Sequence, residues 1–257
     1  MLLFLIKKTF FDMWDHLMSI ILLNFGAILL LGGIFYLIHF AYGIRPCLFW
    51  SSVVFGLLVC CLYLAAMSSL MGNAAAFQSI EFHDVLPSLK TSWPVSMMFA
   101  AFLLIQAVLV FAIVWYLSLK SLIGIAAAGT LFWASLILIL SSQFLFPLWD
   151  QVNGKFTAVP SRCLMLFFDN PGFSLFLALG SLMLLLLSTF TAFLFPGLAT
   201  VLLWYHAGLR LRLYKYDYLE KHPEASRTRI PWNELLAVDR DRVGPRSLRG
   251  MIFPWKA

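Results

Sequence analysis

The chain is 257 residues long, 62% hydrophobic and only 12% charged, with a formal net charge of +6. A soluble domain carries about a quarter charged residues, so this composition excludes water as the solvent for most of the chain and implies a bilayer. The four cysteines (Cys47, Cys60, Cys61 and Cys163) match no zinc or disulfide spacing and read as small apolar fillers.

The chain opens on "MLLFLIKKTFFDMWDHL". Its lysines follow the first apolar residues and no small-residue cleavage site comes after them, which is not the pattern of a signal peptide. At helical spacing Lys8, Asp12 and Asp15 share one face, and Phe10, Trp14 and Leu17 share the other. Apolar runs long enough to cross a membrane follow at about 18–40, 48–72, 95–119 and 121–146. The run over 173–213 is about twice one crossing in length. Pro196-Gly197 interrupts it, which predicts two spans, about 173–195 and 198–213, joined by a tight turn.

The expected fold is therefore all-α and polytopic. It has six transmembrane helices in three hairpins, each preceded by an amphipathic helix at the interface. The second such stretch carries Phe82, Val85, Leu86, Leu89 and Trp93 at helical spacing. The third runs through "TAVPSRCLMLFFDNPG". "DVLPS" at Asp84 and "TAVPS" at Thr157 repeat one design, an N-cap residue with a proline in the first turn. Asp169, before Pro171, reads as the cap of the fifth span.

Six spans put both termini on one side. Lys7, Lys8, Lys90, Lys155, Arg162, Arg210, Arg212 and Lys215 fall on that side, and only Arg45 and Lys120 on the other. The positive-inside rule makes the shared side the cytoplasm. The expected location is the bacterial inner membrane, with a membrane domain over 1–216 and a cytoplasmic tail over 217–257.

The tail carries much of the charge: 11 of the 18 lysines and arginines lie from Arg210 onward. A helix is predicted over about 231–243, with Pro231 at its first position and Gly244 as its stop. Trp232, Leu235, Leu236 and Val243 make an apolar stripe that must be covered. The candidate covers are the protein's own cytoplasmic face, the bilayer surface and another protein. Arg246, Arg249, Phe253 and Trp255 extend the candidate contact surface. The expected partners are lipid and a second membrane or cytoplasmic protein; no nucleic acid is expected.

Chemistry is sparse. No Asp, Glu, Lys or Arg falls inside the expected spans before Arg210, which argues against ion-coupled transport. Asn24, Gln106 and His206 are the candidate polar residues of a cavity, with His39 near a span end. No H-E-x-x-H, G-x-S-x-G, Walker A or dinucleotide fingerprint is present. No catalytic, metal or cofactor site is expected. An intramembrane enzyme would need Asp150, Asp169 or His83 to converge.

"FFDMWDHLMSIILLNFG", "LPSLKTSW" and "FPGLATVLLWYHAGLR", set in a six-span body, resemble the YesL-like family of bacterial membrane proteins over residues 1 to about 213. The resemblance implies no established biochemical activity. It does imply an accessory link to carbohydrate transport. The leading expectation is a non-enzymatic scaffold or accessory subunit. The alternative is a small-solute or lipid transporter working through a cavity lined by Asn24, Gln106 or Trp133.

Overall fold

A computed structural model describes residues 1–80, 82–151, 156–224, 226, 230–244 and 246. The regular elements among these residues are all helices, with no strand. Five helices are long and apolar enough to cross a membrane: α2 (Leu17–Tyr42), α3 (Pro46–Ala75), α5 (Trp93–Ser118), α6 (Leu122–Ser142) and α9 (Pro171–Thr189). The short helices between them are α1 (Leu2–Asp15), α4 (Val85–Thr91), α7 (Leu145–Gln151) and α8 (Ala158–Asp169). The chain continues through α10 (Gly197–Lys221), α11 (Trp232–Leu235) and α12 (Ala237–Val243).

Helix starts follow local chemistry. Pro46 and Pro171 sit in the first positions of α3 and α9, where a missing N–H costs nothing. Ser121 caps α6 by accepting from the Gly124 N–H at 3.1 Å. Asp84 and Thr157 occupy the N-cap positions of α4 and α8, without side-chain cap bonds. The position expected of Asp169 belongs instead to Asn170, and Asp169 is the last residue of α8.

Two expected helices are broken. The fourth apolar run stops at Ser142 and resumes as α7. At the break Gln143 donates to the carbonyls of Leu140 (2.6 Å) and Ser174 (2.9 Å), tying the end of α6 to α9. The tail helix expected over 231–243 is two short helices bent at Leu236, and Pro231 caps the first instead of entering it. Gly244, at φ +72°, is the stop.

Consecutive long helices pack as antiparallel neighbours: α2 on α3, α5 on α6 and α9 on α10. The core is concentrated at one end of them. α2 buries Ile20, Leu23, Asn24 and Ala27, then nothing until Ala41. α5 buries nothing beyond Ala100. α10 occupies the middle of this packed end, against α3, α9, α1 and α2, and most of its first 15 residues are buried. It is not among the five apolar candidates, because Arg210, Arg212 and His206 lower its hydropathy. Elsewhere the large side chains face outward, among them Phe35, Phe111, Leu122 and Ile123. Such a surface is stable in hydrocarbon and is an aggregation liability in water.

Candidate functional site

Polar side chains at the packed end fall into four groups, each built from different helices. The first lies where α3 ends. The last carbonyls of a helix have no partner within it. Ala75 O is met by Lys8 Nζ from α1 at 3.0 Å and by Arg210 Nη1 from α10 at 3.5 Å. Just beyond, Phe77 adopts φ +62°, and three cations surround its ring. Lys8 lies 3.7 Å from the ring centre, Arg242 5.4 Å and Arg210 5.6 Å.

Lys8 also donates to Asp12 at 2.5 Å, one turn along α1, and both side chains are buried. Burial holds the Lys8 ammonium below its ordinary range. It pushes the Asp12 carboxyl up to about 6, against the opposing pull of Lys8. The tail completes the group. Asp239 of α12 is buried and accepts from Arg210 (3.3 Å) and from the Tyr214 hydroxyl (3.2 Å). Arg210 Nε in turn donates to Tyr214 at 2.8 Å.

This arrangement mixes the two expected faces of α1: Lys8 and Asp12 are buried together with Phe4, Leu5, Phe11 and Met13, while Asp15 is exposed. The face carrying Lys8 and Asp12 is turned into the protein. Leu3, Ile6 and Trp14 face outward. In α4 the one buried residue is Ser88, while Leu86 and, at the start of α5, Trp93 are exposed.

The second group joins α3, α7 and α10. His206 Nε2 lies 2.8 Å from Ser68 Oγ and 3.7 Å from Asp150 Oδ2. Gly72 permits the approach, since a Cβ there would come within 2.9 Å of the imidazole. Burial raises the Asp150 carboxyl to about 7. Ser68 and Asp150 both meet the same ring nitrogen, so these three residues do not form the relay in which a carboxylate orients one nitrogen while a hydroxyl uses the other.

The third group secures the connection between α9 and α10. Asn24 Nδ2 donates to Leu194 O (3.0 Å) and Pro196 O (2.8 Å), and Asn24 Oδ1 accepts from the Ala199 N–H (2.9 Å). Ser188 Oγ accepts from the Gly197 N–H at 2.9 Å. Irregular backbone at membrane depth is tolerated only when its polar groups find protein partners, and Asn24 supplies three of them. Asn24 lies near the start of α2, about 27 Å along the helix axis from Tyr42 at its far end. The α9–α10 connection is therefore well offset from the α2–α3 connection.

In the fourth group, Tyr216 donates to Asp169 at 2.5 Å and Asn170 donates to Tyr216 at 2.9 Å. Lys215 is 3.7 Å from Asp169.

Of the residues expected to line a cavity, Asn24 belongs to the α9–α10 connection and His206 to the Ser68 group. Gln106 pairs with Ser135, accepting from its hydroxyl at 2.7 Å. Trp133 is 63% exposed on the outer surface of α6. The structure brings these four to no common site. Asp150, Asp169 and His83 likewise have separate partners among the described residues, His83 meeting its neighbour Asp84 at 3.6 Å. Among the described residues no group of three or more His, Cys, Asp or Glu could hold a metal ion.

Of the tail residues, Leu236 and Val243 are buried in the common core, with Trp232 packed at its edge and Leu235 half-buried. Asp239 on Arg210 and Tyr214, and Gly244 O on Lys7, hold this segment against α10 and α1. Arg246 pairs with Asp15 at 2.7 Å. Arg249, Phe253 and Trp255 lie outside the described residues.

No protein-family model matches the chain, no curated protein matches it, and no solved structure matches it.

Proposed function

We propose that this chain is a multi-pass protein of the bacterial inner membrane that acts as a non-enzymatic scaffold or accessory subunit. The observation that carries this reading is the use made of the polar side chains. Asn24, Gln106, Gln143, Lys8 and Asp239 each hold one helix or turn against another. A translocation path needs polar groups that converge on a substrate; here Asn24 and Gln106 are engaged in holding the bundle together.

In this reading α2, α3, α5 and α6 cross the bilayer. α9 and α10 enter and return as the fifth and sixth membrane segments. Both termini are cytoplasmic. Lys7, Lys8, Arg210 and Arg242 gather at the end where α3 finishes, while Arg45 and Lys120 lie at the opposite ends of α2–α3 and α5–α6. The resemblance to the YesL-like family adds carbohydrate transport as the system such a subunit would serve. Because the tail segment is already held against α10 and α1, a protein partner would use the outward apolar faces of the membrane helices.

Reconstitution of the purified chain into liposomes with a panel of sugars, amino acids and ions tests this. No flux above that of empty liposomes is expected. Uptake of any solute by the chain alone would favour the transporter reading.

A further inference from the structure

Where α1 meets the tail, a recess of about 630 Å³ is lined by Leu3, Phe4, Lys7, Arg240, Asp241 and Gly244. Its size is that of a small-molecule site. Its two halves differ in chemistry. Leu3 is 83% exposed and leads into the outward stripe with Ile6 and Trp14. The polar half is cationic: Lys7 Nζ is anchored on Gly244 O at 3.2 Å, and the Arg240 guanidinium stands 6.0 Å from the Phe4 ring. Arg246 continues the row, 5.8 Å from Phe11, whose ring Lys7 also approaches at 5.9 Å. Asp241 is the one acid of the lining.

We infer that this recess seats one anionic phospholipid of the inner leaflet, its phosphate between Lys7 and Arg240 and an acyl chain along Leu3 and Ile6. The inference rests on the membrane reading above and on charge complementarity. A helix whose apolar stripe runs beside a row of cations suits the boundary between acyl chains and anionic headgroups. The orientation of α1 gives this arrangement its cause. Lys8 and Asp12 are occupied inside, so the outward face is left to Leu3, Ile6 and Trp14 with Lys7 at its margin. A lipid at this seam would touch both α1 and α12, and so bind best when the tail is docked.

The test uses the full chain in zwitterionic detergent, with native mass spectrometry counting retained lipid and thermal unfolding measured in parallel. Phosphatidylglycerol should be retained in preference to phosphatidylcholine and should raise the melting temperature. Each cation removed should weaken that preference about fivefold, so K7Q/R240Q should abolish it. R45Q/K120Q, on the opposite side, should keep it. If K7Q/R240Q does not fold, R240Q alone serves, with about a fivefold loss expected. Equal retention of the two lipids by the wild type would overturn the inference, as would a preference that survives R240Q unchanged. An equal thermal shift from free glycerol phosphate would also overturn it, because the site would then be one for a soluble anion. The membrane reading fails separately, if carbonate extracts the chain without detergent.

Discussion

Lys8 Nζ lies 3.0 Å from the carbonyl of Ala75 and 2.5 Å from Asp12 Oδ2. One ammonium thus closes the open end of α3 and neutralises a buried carboxylate. Removing one member of such a pair leaves the other charge buried alone, at a cost of about 3–5 kcal/mol; replacing both with apolar residues is often close to neutral. K8M should therefore lower stability by about that amount, and K8M/D12L should recover most of it. Chemical unfolding in mixed micelles of K8M, D12L and the double variant gives the comparison. A double variant as unstable as the sum of the singles would show that the pair has no mutual role.

Asn24 can be argued in the same way. Its amide serves two carbonyls and one N–H of the α9–α10 connection. N24L keeps the volume and orphans the Leu194 carbonyl and the Ala199 N–H, while Pro196 O keeps the Thr200 hydroxyl. At about 1–3 kcal/mol for each unsatisfied buried group, it should be among the most damaging single changes in α2. Gly197 has φ +66° and faces Asn24 so closely that a Cβ would collide with the amide. G197A should thus destabilise the same connection, and the two changes combined should cost less than their sum. Additive losses in thermal unfolding would separate the two residues.

How much of this was legible in the sequence depends on what kind of rule applied. Spans at 18–40, 48–72 and 95–119 fall within two or three residues of α2, α3 and α5, because hydropathy and a proline or glycine at the boundary are local signals. The direction in which α1 faces is not local. Periodicity separates Lys8 and Asp12 from Leu3 and Trp14 but does not say which face meets the protein. In water the apolar face must turn inward; beside a bilayer either face can, and here Ala75 O and Phe77 draw the charges in. Asp239 was hidden for a related reason: it falls between Leu236 and Val243 on a face defined by its apolar members, and its partner Arg210 lies 29 residues away. Asn24 was singled out for polarity at an apolar position, yet its use depends on a backbone segment 170 residues further along.

Tail docking follows from Leu236 and Asp239. Leu236 is fully buried, and Asp239 is bonded to Arg210 and Tyr214. L236A should cost about 2–4 kcal/mol at this seam, more than the docking of so short a segment can absorb. Hydrogen exchange over 232–244 should then rise to the rate of a free peptide while α3 and α10 stay protected. R246A removes an exposed pair with Asp15 and a distant approach to the Phe11 ring, and should leave exchange nearly unchanged. Equal effects from the two variants would place the anchor elsewhere.

Topology can be read with the protein's own thiols. Cys47 is exposed beside Arg45, whereas Cys61 and Cys163 are buried and Cys60 is half-buried. An impermeant maleimide added to intact spheroplasts should label Cys47. In a C47S background, S226C should react only after the membrane is opened. Ala192 lies in the α9–α10 connection, held at the level of Asn24 and far along α2 from Gly43. A192C should be modified much more slowly than Cys47 from the outside. Labelling of Cys47 and S226C from the same side would exclude the proposed arrangement.

The pH dependence should carry the mark of Asp150. Its carboxyl is raised from an ordinary 3.8 to about 7 by burial, with His206 and Ser68 as its neighbours across α10 and α3. A carboxyl that holds its proton more tightly in the folded state adds stability in full below its unfolded value. That contribution is lost as pH rises through the folded value. Melting temperatures in detergent should therefore fall, relative to those of D150N, between pH 5 and pH 8, since D150N stays uncharged throughout. The comparison isolates this carboxyl from the other groups that titrate in the interval, Asp12 among them. A wild-type curve parallel to that of D150N would mean that Asp150, whose side chain is 29% exposed, reaches water more freely than its place beside His206 and Gly72 indicates.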